Sequence, residues 1–298
     1  FTIPFNINYE LDLFGGVRNN VRSAEAALQA TAADTQNAQL IVTTDLAADY
    51  FQMRSLDAEI ADVQEAIDYE QKGLNLVNQR HDQGIASGLD VAQQESVLDA
   101  ASAQLSLLQQ QRAQFQHALA TLQGIPASDF TAPVRPLNSP LPDVPVAVPS
   151  LLLERRPDIA SAERQVAAAN AQIGVARAAF FPRILLGLAG GWQSTAASSL
   201  FSLPSALWSV GASALEPVAA GGRIHARYRQ TKSIYDESVA NYRETVLTSF
   251  QQVEDALSSL NTLATAAQAQ GRAVGDSRRA LDLATIRYTG GLVNYLDV

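Results

Sequence analysis

The sequence predicts a mainly helical protein whose long antiparallel hairpins carry transmembrane β-strands. Three observations predict it: two different periodicities in one chain, a duplication at fixed offset, and Pro and Gly gathered where the periodicity changes. The duplication supplies the frame. Arg80 to Val91 aligns with Arg287 to Val298 at a constant offset of 207, with Arg80/Arg287, Gly84/Gly291, Leu89/Leu296 and Asp90/Asp297 identical, and Leu74 and Leu76 match Leu281 and Leu283. Glu10, Gly15 and Gly16 match Glu216, Gly221 and Gly222 at 206, so one single-residue insertion or deletion separates the two anchors. A period this long exceeds that of small-repeat solenoids and describes a duplicated domain.

The first element, Phe1 to Leu13, alternates with period two. Phe1, Ile3, Phe5, Ile7, Tyr9, Leu11 and Leu13 share one face; Thr2, Pro4, Asn6, Asn8, Glu10 and Asp12 share the other. The alternation returns in Arg183 to Trp192, and again where Trp208, Val210, Ala212 and Ala214 oppose Ser209, Gly211 and Ser213. The polar stretch Gln193 to Ala206 makes these two a hairpin. Isolated amphipathic strands also suit a soluble sandwich. Here they are few, far apart and joined to very long helices, which favours a barrel with lipid outside and a lumen lined by Asn6, Asn8, Glu10, Ser209 and Ser213. Three strands cannot close a barrel, so subunits must share one.

The helices follow from steps of three and four. Leu98, Ala101, Leu105, Leu108, Arg112, Phe115, Leu119 and Leu122 form one seam, with Arg112 out of character. Leu46, Met53, Leu56, Ile60, Val63, Ile67, Leu74 and Val77 form another, interrupted by Asp49 and Glu70. Such seams pack helix lengthwise against helix, as in an ordinary antiparallel coiled coil or a channel wall. The stretches Val17 to Asp82 and Arg223 to Tyr288 predict helices on the order of 100 Å long. Pro157 and Asp158 suit the first turn of a further helix, expected to reach Phe181.

Turns complete the organisation. Gly84 and Gly291 can end a helix in the left-handed conformation, with Arg80 and Arg287 in the last turn. Ser87 with Asp90, and Asn294 with Asp297, have the spacing to start the next helix. The repeated motif therefore encodes a tight hairpin tip. Pro182 and Pro217 mark joints between strand and helix. The expected division is a first repeat at 1–123, a Pro-rich linker at 124–150 and a second repeat at 151–298.

Composition excludes several classes. A net charge of −9 argues against a nucleic-acid partner. No apolar run reaches the length of a spanning helix. The chain has no Cys, hence no disulfide, thiolate zinc site or Cys nucleophile, and its single Met offers no soft-ligand path for Cu(I). His81, His117 and His225 are scattered and no nucleophile elbow, P-loop or zincin motif occurs, so no enzyme, catalytic residue, cofactor or metal site is expected.

The run Leu153-Glu154-Arg155-Arg156-Pro157-Asp158-Ile159, followed by Ala162-Glu163, Ala171-Gln172-Ile173-Gly174, Ala176, Ala178 and Phe181-Pro182, resembles the hallmark of the outer-membrane efflux proteins. These are the TolC-like outer-membrane factors, and within them the chain resembles the OprM/NodT branch. Tyr9-Glu10-Leu11-Asp12-Leu13-Phe14-Gly15 and the two tip motifs match as well, and the resemblance spans essentially the whole chain. It implies a homotrimer in which each subunit gives four strands to a shared twelve-stranded barrel, and helices to an α-barrel through the periplasm. The Pro-rich segment would help form an equatorial domain. It also implies a passive exit duct for drugs, metals or other small molecules, working with a periplasmic adaptor and an inner-membrane transporter of the RND type. The alternative is a periplasmic coiled-coil adaptor or scaffold, which would share the hairpins but not the amphipathic strands.

By the same duplication, Arg155 to Trp192 should have a counterpart before Phe1, and Leu89 to Gln123 one after Val298. The resemblance implies that an intact protein carries these pieces, a signal peptide and an acylated N-terminal Cys. It assigns the periplasmic gate to Tyr288, Asn294, Tyr295, Leu296 and Asp297, with Leu296 at the apolar gate position and the acidic gate residue beyond Val298. Adaptor contacts map to Gly84, Ile85, Ser87, Leu89 and Asp90 and to Gly291 and Leu292. The polar strand face and the charge of −9 lead to the expectation of a cation-favouring lumen.

Overall fold

The computed structural model of the chain describes residues 1–135, Leu137 and 155–290. In chain order it forms β1 (Thr2–Leu11), α1 (Gly16–Asp82), α2 (Gly88–Leu122), a 3-10 turn (Ala127–Asp129), α3 (Pro157–Ala178), β2 (Arg183–Gln193), β3 (Ala206–Leu215) and α4 (Arg223–Thr289). α1 and α4 each run for 67 residues. The chain forms two compact units, one of Phe1–Asn37 with Ala147–Glu254, the other of Ala38–Val146 with Asp255–Val298. The units cut across the duplication, because each takes part of both long helices.

In the first unit the strands form one antiparallel sheet in the order β1-β2-β3, so the expected hairpin gains β1 at its outer side. The N-terminal part of α1 runs antiparallel to α3 at close range. Ser23 Oγ donates to the Ala168 carbonyl (3.1 Å) and accepts from Gln172 Nε2 (2.8 Å). A Cβ on Gly174 would stand 2.6 Å from the Asn19 side chain, so any larger residue there would force Asn19 to move. α3 ends three residues before Phe181. The amides of Phe180 and Phe181 bond back to Arg177 and Ala178, and Pro182, which disfavours helical geometry in its predecessor, follows. At this joint Phe14 stacks on Phe181 at 4.5 Å, and Phe180 meets His225 and Tyr228 edge-on.

In the second unit α1 and α2 pack along the two predicted seams. Every seam position, Asp49, Glu70 and Arg112 included, is buried or half-buried, with Met53, Leu56, Leu74, Val77, Leu108 and Leu119 at the centre. The break at Glu70 has a partner in α2, since buried Gln94 donates to its carboxylate at 2.5 Å. α4 presents the equivalent positions differently. Met53, Leu56 and Leu74 are 1%, 3% and 9% exposed, whereas Leu260, Leu263 and Leu281 are 47%, 65% and 49% exposed. Within the described residues no counterpart of α2 covers them.

Of the expected linker, Gly124 to Arg135 is described. Ile125 N–H bonds back to the Ala120 carbonyl to close α2, and the 3-10 turn follows. The remainder, Leu137 apart, lies outside the described residues, as do Leu153 and Glu154.

Candidate functional site

The strands sort their side chains by register. Ile7 faces Leu188 and, across β2, Val210, while Asn8 faces Gly187 and Gly211. Alternate residues therefore build one continuous apolar face, including Phe5, Ile7, Tyr9, Leu186, Leu188, Trp208 and Val210, all exposed. The opposite face carries Asn6, Asn8, Gly187, Ala189, Ser209, Gly211 and Ser213, which border a trough of about 420 Å³. Small and polar residues keep this face open, and the apolar face is too extensive to rest in water without a partner phase.

At the helix end of the polar face the acidic groups are compensated. Arg183 Nη2 lies 2.9 Å from Glu10 Oε2, a diagonal pair between β2 and β1. Asp12 caps α1, its carboxylate accepting from the amides of Val17 (3.0 Å) and Arg18 (2.8 Å) and from Arg18 Nε. These bonds, the Arg18 amide foremost, hold Asp12 below the usual carboxylate range. Val218 stands at the duplicated position, so the second repeat lacks this cap. There Gly221 and Gly222 both take positive φ before α4, whereas in the first repeat Gly15 alone does so. The cation preference expected from the polar strand face and the net charge thus gains no uncompensated charge from Glu10 or Asp12.

The tip forms as its spacing predicts. Gly84 takes φ 74°, and the amides of Ile85 and Ala86 return to the Arg80 carbonyl at 2.8 and 3.2 Å. Ser87 Oγ accepts from the Asp90 amide and Asp90 Oδ2 accepts from the Ser87 amide, a complete capping box. The Ser87 hydroxyl also donates to Asp90 Oδ2 (2.9 Å), and the Ser87 amide first, then this hydroxyl, lower the Asp90 pKa. The Arg80 guanidinium lies 4.3 Å above the ring of buried Tyr288, bringing α4 to the tip of the first hairpin. Ile85, before the box, and Leu89, within it, are 69% and 66% exposed. Gly291, Leu292, Asn294, Tyr295, Leu296 and Asp297 lie outside the described residues.

One cluster escaped sequence reasoning. Asp57 is fully buried and accepts from Arg54 Nη1 (2.8 Å), Arg112 Nε (2.5 Å) and the Arg135 amide (3.0 Å). Arg54 also donates to the Pro133 carbonyl, Arg112 to that of Ala132, and Gln116 Nε2 to that of Phe130. The cluster ties the segment after α2 onto the α1–α2 pair. Arg112, the misfit in its seam, was the available signal.

Among the described residues no helix is long and apolar enough to cross a membrane, and no group of His, Asp or Glu is placed to hold a metal ion. Neither observation bears on a β-barrel.

Comparison with known proteins gives the same picture. The family model for outer membrane efflux proteins matches residues 1–125 and 148–298. The pyoverdine export outer membrane protein OpmQ of Pseudomonas aeruginosa is 34% identical over 299 residues, covering all of this chain and 63% of that protein. The toluene efflux pump outer membrane protein TtgF of Pseudomonas putida is 35% identical over 304 residues, covering all of this chain and 62% of its own length. The chain thus spans less than two thirds of these relatives. Among solved structures, VceC of Vibrio cholerae superposes with a TM-score of 0.91 at 29% identity, over all of this chain and 71% of that one. The outer-membrane channel OprN gives 0.93 at 31% identity, over 98% of this chain and 66% of the other.

Proposed function

The chain belongs to the outer membrane efflux protein family, and from that premise we propose that it is part of a passive exit duct, without catalysis, in the outer membrane. The observation that carries the reading is the two-faced sheet, two of whose three strands, β1 and β3, lead into helices far longer than it is, α1 and α4. Strands of ten or eleven residues, tilted as in membrane barrels, span an apolar band of about 25 Å. Aromatic residues sit at both ends of the apolar strands, Trp192 and Phe201 near the hairpin loop and Phe14 and Phe181 at the helix joint. Such girdles belong at membrane–water interfaces.

Three strands leave a barrel open, so the working form is a homotrimer whose polar face, with Asn6, Asn8, Glu10, Ser209 and Ser213, lines the lumen. The helices continue the conduit through the periplasm. Tyr288, Asn294, Tyr295, Leu296 and Asp297 form its gate. The exposed apolar side chains Ile85 and Leu89, beside Gly84, Ser87 and Asp90, offer docking points to a periplasmic adaptor; Gly291 and Leu292 would do the same in the second repeat. Cargo is drugs or other small molecules, delivered by an inner-membrane transporter of the RND type. An acyl anchor on the complete protein accompanies this reading.

Particle imaging and mass measurement of the complete protein in detergent test it. A trimeric tube well over about 100 Å long, as helices of this length require, is expected. A monomer, or a rod without a barrel, would overturn the reading and favour a coiled-coil scaffold.

A further inference from the structure

The three strands contain only two charged residues, Glu10 in β1 and Arg183 in β2. Register places both on the polar face. Glu10 is in line with Leu185 and Ser213, and Arg183 is two residues from Leu185 on the same side. Their side chains meet at 2.9 Å while remaining 33% and 65% exposed respectively, so the pair is wet and reachable from the trough rather than a buried strut. The next acid on this face, Asp12, is engaged by the α1 amides and Arg18. Glu216, the duplicated counterpart of Glu10, follows the end of β3 and falls on the opposite parity.

An exposed pair of this kind adds little to stability. Its effect on the potential of a polar passage is larger, because every other side chain of that face within the strands is uncharged. We infer that Glu10 and Arg183 together determine the ion preference of the barrel where strands meet helices, each cancelling a ring of charge that the other alone would impose. This rests on the lumenal reading of the polar face proposed above.

The chain has no Cys, so, with any free thiol elsewhere in the complete protein replaced, a single introduced one reports local potential. Asn8→Cys stands two residues from Glu10, about 7 Å away. Thr2→Cys, eight residues from Glu10 on the same face, lies beyond a Debye length in ordinary salt. In the complete protein reconstituted in bilayers, the ratio of reaction rates with anionic and cationic methanethiosulfonates is measured at each thiol. E10Q should raise the anion-to-cation ratio at Asn8→Cys about fivefold and R183Q should lower it about as much, with little change at Thr2→Cys. The double variant E10Q/R183Q and the exchange E10R/R183E should both return to the parental ratio. Conducting variants whose ratios at Asn8→Cys do not move with either single substitution would overturn the inference and leave the duct intact. A parental protein in which neither reagent reacts at Asn8→Cys or Thr2→Cys would instead remove the lumenal reading on which the inference stands.

Discussion

Asp57 has no solvent contact and three donors, two of them guanidinium groups. Burial of a charge is tolerable only because those donors replace water. Asp57→Ala would leave Arg54, itself 4% exposed, and Arg112 without their counter-charge. The expected loss is about 3–5 kcal/mol, read as a lower midpoint in denaturant for this part of the molecule. Replacing all three by Arg54→Met, Asp57→Leu and Arg112→Leu should restore most of that loss, since apolar packing often matches a buried ion network. It should nevertheless free the Ala132 to Arg135 segment, where the Ala132, Pro133 and Arg135 carbonyls would lose their guanidinium donors, and proteolysis there should quicken. If the triple variant resists protease like the parent, the cluster does not hold that segment. Sequence exposed half of this arrangement: Arg112 was visibly wrong for its seam, but its partner lies 55 residues away and Arg54 and Asp57 look like an ordinary exposed pair. At the duplicated positions stand Asn261 and Ala264, so the duplication itself gave no second view of the cluster.

Among the elements, those specified locally were read to within a few residues, because caps, Gly turns and seam spacing act over a single turn of chain. The Ser87–Asp90 capping box is such a case. Ser87→Ala removes the acceptor for the Asp90 amide, and amide exchange in the first turn of α2 should accelerate roughly fivefold, the equivalent of a typical cap. The same box makes the tip pH-dependent. Because folding lowers the Asp90 pKa, its stabilising contribution is full above the ordinary aspartate value of about 3.9 and is lost as pH falls through the lower folded-state value. Exchange at the tip that is flat through that acid range would contradict this. The end of α3 was misjudged because Pro182 acts on its predecessor, and the unequal entries to α1 and α4 went unseen because Asp12 has no duplicate. The bare seam of α4 leads to another expectation: in the complete protein an antiparallel helix equivalent to α2 covers Leu260, Leu263 and Leu281. A thiol introduced by Leu263→Cys should then label as slowly as one introduced by Leu56→Cys. Fast labelling would mean that the second repeat does not pair its long helix as the first does.

At the scale of the whole molecule, the sheet poses the question that assembly must answer. Its apolar face is exposed, Trp208 and Val210 being 80% and 71% accessible, and within the described residues β1 and β3 each have one neighbour. Open edges and a bare apolar face are both unfavourable in water, and a closed barrel in lipid resolves them together. The two faces are legible from alternation alone, since a period of two assigns each residue a side once strands are assumed; the barrel needs, besides, the very long helices to which those strands are joined. The pairing of β1 with β2 was not legible, because the two are separated by most of the helical sequence. The barrel makes adjacent residues behave oppositely. Val210→Arg puts a charge against lipid and should oppose insertion by about 2–4 kcal/mol per subunit near the bilayer centre, seen as loss of folded trimer from outer-membrane fractions. Ser209→Arg, one residue earlier, turns the same charge toward water and should leave trimer yield close to the parent while raising anion preference. Equal losses from both substitutions would mean that neither face meets lipid. A reversed order would place lipid on the polar side, and either result would remove the shared barrel from the reading while leaving the helical pairing untouched.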